Sequence, residues 1–259
     1  MFFANIIQRK RFANEFIIPN YCDRINAVRR TSIQITYVYH SGFLVETTEC
    51  YYLFDYYKGA LPPLKPDKPV LVFASHSHGD HYNKDIFSLL KNMGIKHITA
   101  ILAKDISPKK YPTDVEIQRV TFHETYELPC HTTLDTLQST DVGVAFLVRC
   151  PEVIIYHAGD LNDWVWEGEP EQYNKQMTGN YRHEIDLLYK LLKGNTLDVA
   201  FLPLDPRQEN DYAKGMLYFL KKVNVRQVYP MHYWEKPEII GRFLQEYPEY
   251  AGKIVQSER

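Results

Sequence analysis

The stretch Val70-Leu71-Val72-Phe73-Ala74-Ser75-His76-Ser77-His78-Gly79-Asp80-His81 decides how this chain is read. Its first five residues are apolar, β-rich and preceded by Pro69, which is the pattern of a buried strand. Three imidazoles and a carboxylate follow within six residues. Alternate side chains of an extended segment share a face, so His76 and His78 can point the same way from the strand's end. Gly79 permits a tight turn that returns Asp80 and His81 towards the same point. Imidazoles joined by a carboxylate suit a divalent cation such as Zn, Fe, Mn or Ni rather than a structural thiolate site. A solvated loop accounts well for a lone histidine and poorly for this concentration of donors directly after a buried strand.

Two later segments have the same form, a strand that ends in a donor: Val153-Ile154-Ile155-Tyr156-His157-Ala158-Gly159-Asp160 and Val228-Tyr229-Pro230-Met231-His232-Tyr233. Periodicity predicts strands over 33–39, 43–47, 51–55 and 70–74, then over 97–102, 115–120, 132–138, 142–149 and 153–157, with later strands at 199–202 and 227–230. Helices are predicted after the histidine-rich loop, with Asn83 as N-cap, Ile86, Leu89, Leu90 and Met93 as the buried stripe and Gly94 as the stop. Further helices are predicted ending at Lys193-Gly194, over 211–222, and over 237–247 behind Pro237. Strands gathered in two blocks, each followed by helices, imply an α+β chain of two sheets packed face to face with helices outside.

The His76-x-His78-x-Asp80-His81 loop, together with Asp160 and His232 in that order, resembles the signature of the metallo-β-lactamase superfamily. The opening Ile35-Thr36-Tyr37-Val38-Tyr39-His40-Ser41-Gly42-Phe43-Leu44-Val45 is similar to its ascorbate-lactonase-like branch. The resemblance runs from about Ile33 to the C-terminus and implies a four-layer αββα sandwich over residues 33–259, preceded by an N-terminal extension, residues 1–32. It implies one or two divalent ions, Zn first and Mn or Fe as alternatives. His76 and His78 would bind the first, Asp80 and His81 the second, with Asp160 bridging and His232 completing the second site. The family usually adds a further histidine to the first ion, and the matching stretch around Leu134–Phe146 has none. Asp141 could supply an oxygen in its place, or His123, His131 or His40 could reach in, or the first site could be weaker. His157 is read as a buried structural histidine beside the site. Asp55 and Asp205, both after apolar runs, are candidates to orient ligating imidazoles.

The resemblance implies a metal-dependent hydrolase in which a metal-bound hydroxide attacks an ester, lactone or phosphoester bond of a small metabolite. Asp80 is the expected proton carrier as well as a ligand. Trp164 and Trp166 would wall the pocket, while Arg207 would hold an anionic substrate group and Tyr233 would contact substrate. The alternatives are a nuclease or phosphodiesterase of the same superfamily and a non-catalytic member with an altered metal site. Serine-triad and phosphate-loop chemistries are disfavoured because neither Gly-x-Ser-x-Gly nor Gly-x-x-x-x-Gly-Lys-Ser/Thr occurs.

A net charge of −2, from 30 basic and 32 acidic residues among 259, offers no global field for nucleic acid or an anionic membrane. The expected partner is therefore a small-molecule substrate, with no membrane partner and homo-oligomerisation left open. Cys22, Cys50, Cys130 and Cys150 form no Cys-x-x-Cys pair and read as free thiols of a reducing compartment. No apolar run of about twenty residues and no secretory leader are evident, so the cytoplasm is the expected location.

Overall fold

The structure, a computed structural model, describes residues 33–256; the N-terminal extension and Cys22 lie outside the described residues. The first block of sequence builds one sheet, from β1 (Gln34–Tyr39), β2 (Gly42–Glu46), β3 (Tyr51–Phe54), β4 (Val70–Ala74), β5 (Ile98–Ala103) and β6 (Glu116–Val120). These six strands lie side by side in sequence order. The second block, β7 (Thr125–Leu128), β8 (Thr132–Gln138), β9 (Val144–Arg149), β10 (Ile154–His157), β11 (Leu197–Pro203) and β12 (Val225–Met231), builds the other sheet, again in sequence order. Each block starts with antiparallel neighbours and ends with parallel ones. Parallel neighbours need crossovers, and helices supply three of them. Helix α1 (Asp85–Asn92) joins β4 to β5, α2 (Glu171–Leu192) joins β10 to β11, and α3 (Lys214–Lys222) joins β11 to β12. The last helix, α4 (Glu238–Glu246), follows β12. The architecture is the expected sandwich of two sheets between helices.

An aromatic seam joins the sheets. Phe43, Phe54, Phe73, Phe146 and Phe201, each from a different strand, are all fully buried. Phe43 stacks on Phe201 at 4.2 Å, Phe54 on Phe73 at 4.8 Å, and Phe73 meets Phe146 edge-on at 5.3 Å. Such pairs add about 0.5–1.5 kcal/mol each beyond the area they bury. The β4 strand is buried along its whole length, as its continuous apolar run requires for a strand covered on both faces.

Local differences from the sequence reading have local causes. The periodicity does not mark strand β7, since Thr125-Tyr126-Glu127-Leu128 is an edge of only four residues. Asn83 sits one position before the cap of α1, where its Oδ1 accepts the amide of Asp85 at 2.9 Å. Helix α2 is longer than its apolar end suggests and starts directly after Pro170; its buried face is Tyr181, Glu184, Ile185, Leu188 and Leu192. Buried Glu184 accepts the Gln138 amide at 3.1 Å and pairs with His123 at 3.0 Å, tying the helix to the edge of the second sheet.

Candidate metal centre

Strand direction assembles the site. Because β1 and β3 are both antiparallel to β2, and β4 is parallel to β3, the C-terminal ends of β1, β3 and β4 share one edge of the first sheet. The residues just past those ends are His40, Asp55 and the loop from Ser75 to His81. In the second sheet β10, β11 and β12 are parallel, and their C-terminal ends lead into Asp160, Asp205 and His232. Six strand ends from two sheets thus converge, the usual position for a ligand in sheets with parallel strands. Three of these residues adopt a left-handed backbone that a β-carbon makes costly: His40 at φ 56°, Asp55 at φ 41° and His232 at φ 62°. Strain of about 1–3 kcal/mol at each is of the kind that surrounding structure sustains at functional sites.

Hydrogen bonds fix which nitrogen of each imidazole faces inward. Asp55, fully buried, accepts the Ser75 amide and hydroxyl at 2.7 Å each and the Nδ1 proton of His81 at 2.8 Å. Since the Ser75 hydroxyl donates to Asp55, its lone pair is available to the Nδ1 proton of His76 at 3.0 Å. Asp205 accepts the Nδ1 proton of His232 at 3.0 Å and the Trp234 indole at 3.1 Å. Each of these three rings therefore presents a bare Nε2 to the centre, as oriented metal ligands do. Burial of Asp205 acts to raise its pKa, but hydrogen bonds from His232 and Arg207 prevail and bring it down to about 2.

The inward atoms form two groups in which every member offers a donor within 4.8 Å of the others: His76, His78 and Asp160; and His40, Asp80, His81 and His232. Nε2 of His76 faces Nδ1 of His78 at 3.1 Å. Nε2 of His81 lies 3.1 Å from Oδ1 of Asp160, and that of His232 lies 3.5 Å from the same oxygen. Nevertheless His40 Nε2, His81 Nε2 and Asp160 Oδ1 are buried without a hydrogen-bond partner. Orphaned polar atoms are costly in an interior; His81 Nε2 and Asp160 Oδ1 lie 3.1 Å apart and His40 Nε2 belongs to the same group as His81, a set that a cation would satisfy. The residues fit one or two divalent ions. His40 is held neutral, its pKa lowered to about 3 chiefly by burial, so a lone pair is available.

A cleft of about 380 Å³ opens onto these donors, lined by His78, Asp80, Asp160 and His232 and, beside them, Asp141, Trp164, Trp166, Arg207 and Trp234. Trp164 is fixed by an indole bond to the Asp160 carbonyl at 2.8 Å and stacks on Trp166 with ring planes 2° apart. Arg207 reaches the cleft, but its Nε and one terminal nitrogen bind Asp205 at 2.9 and 2.5 Å, with Trp234 under the guanidinium at 4.5 Å. Two of its donor nitrogens are thus committed to Asp205. Tyr233 does not line the cleft: it is buried and stacked on Tyr37 at 5.8 Å, and the exposed ring there is Trp234. Positive φ at His232 and Trp234, past the end of β12, turns the two neighbours to opposite sides.

Asp141 is exposed on the cleft rim and belongs to neither donor group. His123 is taken by Glu184, and His131 is exposed in the turn between β7 and β8. His40, a candidate for the first group, joins the second instead. The signal was visible in the sequence, since His40 also directly follows a strand. His157 is structural: its Nε2 donates to the Ser41 carbonyl at 2.9 Å, its Nδ1 accepts the Gly159 amide at 3.1 Å, and it stacks on Phe54.

Known proteins resemble this chain in sequence and in fold. A metal-dependent hydrolase of Pyrococcus furiosus is 25% identical over 237 residues, covering 86% of this chain and 92% of its own length. Another from Thermococcus kodakarensis is 25% identical over 222 residues, covering 80% and 87%. Among solved structures, a metallo hydrolase of Ignicoccus hospitalis shares the fold at a TM-score of 0.61 and 18% identity, covering 88% of this chain and 97% of that one. A family model described as the β-lactamase superfamily domain matches residues 34–174, from β1 through the histidine-rich loop and Asp160 into α2, and by that match the chain belongs to the metallo-β-lactamase superfamily.

Proposed function

We propose that the protein is a metal-dependent hydrolase that cleaves an ester, lactone or phosphoester bond in a small metabolite. The observation that carries this reading is the pair of facing donor groups, with orphaned inward atoms, at the floor of an open cleft. Imidazoles and carboxylates without a thiolate fit Zn first, and Mn or Fe as alternatives. A divalent cation held there supplies Lewis acidity, polarising a substrate oxygen and making water acidic enough to ionise near neutral pH.

The chain's own residues do the rest. His76, His78, His81, His232, Asp80 and Asp160 would hold the ions, with Asp160 near histidines of both groups. Asp80 lines the cleft and is only partly buried, which suits it to take the proton of attacking water and deliver it to the leaving oxygen. Trp164 and Trp166 form a rigid apolar wall that orients substrate and excludes bulk water. The cleft's size suits a metabolite rather than a polymer. The cleft lining offers one guanidinium, that of Arg207, itself paired to Asp205, and no run of basic side chains to track a nucleic-acid backbone. No described helix is long and apolar enough to cross a membrane, and a cytoplasmic location remains part of this proposal.

The test is metal analysis of purified protein combined with hydrolysis of lactone, carboxylic ester, phosphomonoester and phosphodiester substrates. Chelation should abolish turnover, and Zn or Mn should restore it. His78→Ala and Asp160→Ala should each lose metal and activity. Undiminished metal content in both variants would overturn the assignment.

A further inference from the structure

His40 and His81 each bury an Nε2 without a hydrogen-bond partner, and of the two His40 is the one outside the loop from His76 to His81. Its backbone is held from both sides: the amide donates to the Tyr37 hydroxyl at 2.9 Å, and the carbonyl accepts the His232 amide at 3.3 Å. That clamp keeps the residue in its left-handed conformation at φ 56° and turns the ring into the site. The ring is 5% exposed and packs at 4.4 Å on His232 and 4.6 Å on Trp234. Its Nε2 lies 3.5 Å from Oδ2 of Asp80, yet has no hydrogen-bond partner. The comparison within the same fold is His157, whose buried Nε2 is satisfied by a carbonyl at 2.9 Å. A histidine present only for packing is expected to be satisfied in that way.

We propose that His40 is a protein ligand of the second metal ion. The donors are then unequally divided. One ion has His40, Asp80, His81 and His232, with Asp160 alongside, whereas the other has His76, His78 and Asp160. A site closed by protein groups retains its ion, and a site with three protein ligands leaves a position open. The second site is therefore the tight one, and the first is the exchangeable one that faces substrate. The statement about substrate rests on the hydrolase reading; the division of affinity does not.

The test uses the full chain, stripped of metal and titrated with Co²⁺ or Zn²⁺ against a chromophoric chelator. Wild type should bind one equivalent tightly and a second more weakly. His40→Asn, whose side chain tolerates a left-handed backbone, should weaken the tight step by about 100-fold and change its Co²⁺ visible spectrum. His76→Gln should remove the weak step and leave the tight one with its spectrum intact. As a check that needs no variant, X-ray absorption of wild type carrying one Zn²⁺ should count three imidazoles. Two imidazoles or an indifferent His40→Asn would each overturn the assignment of His40 alone, and loss of the tight step in His76→Gln would overturn the division of affinity. Absence of binding in wild type would overturn the hydrolase reading along with it.

Discussion

Asp55 Oδ2 receives the Nδ1 proton of His81 across 2.8 Å while the same carboxylate holds the amide and hydroxyl of Ser75. One buried anion therefore sets the orientation of His81 directly and of His76 through Ser75. Asp55→Asn keeps the shape but replaces an acceptor by a donor facing donors. Metal affinity should fall about 10–100-fold, as read by competition with a chelator. An affinity equal to wild type would show that the Asp55 hydrogen bonds do not govern the ligands.

His157→Phe should behave differently. The aromatic ring can keep the stack on Phe54, but the Ser41 carbonyl and Gly159 amide lose their partner. Stability should drop by about 1–3 kcal/mol, seen in denaturant melts, while metal stoichiometry stays as in wild type. A variant with normal stability and no metal would instead make His157 a ligand.

Two glycine substitutions should act in opposite directions. A β-carbon on Gly143, at φ 80°, would stand 2.0 Å from the Ser75 carbonyl oxygen that holds the Val144 amide at 2.9 Å. Gly143→Ala should cost more than about 2 kcal/mol and disturb His76. Gly179, exposed within α2, has no atom within 4 Å of that position, so Gly179→Ala should stabilise by about 0.5–1 kcal/mol. Melting curves of both variants check the pair.

Metal should stabilise the folded chain in a concentration-dependent way, by about 4 kcal/mol at a thousandfold excess over the dissociation constant. Protons compete with the ion for the imidazole lone pairs, so occupancy should decline as the pH falls. Thermal melts with and without chelator at pH 7.5 and 5.5 measure both effects. The stabilisation should be large at the higher pH and small at the lower; a melt indifferent to chelator at pH 7.5 would contradict it.

The strands were legible because β4, β10 and β12 announce themselves as apolar runs ending in a donor, and the run itself dictates burial. The inner tryptophan was legible too, since Trp164 closely follows Asp160. Tyr233 was not, because one residue of rotation past a strand end decides between core and cleft, and the turn at His232, with its positive φ, lies beyond what alternation can predict. That His40 lies with Asp80, His81 and His232 is hidden from the sequence for a related reason. Which neighbour it meets depends on β1 lying across the seam from β12, with the His40 carbonyl on the His232 amide at 3.3 Å, a relation between residues distant in sequence.

The layout of two sheets, each drawn from a continuous half of the chain, has a consequence for how the molecule could be divided. Residues before the β6–β7 connection carry His40, His76, His78, Asp80 and His81, and residues after it carry Asp160 and His232. Neither half holds a complete set for either ion. A metal bound at this edge is thus a clasp between halves, and its capture reports that the two have closed on each other in register.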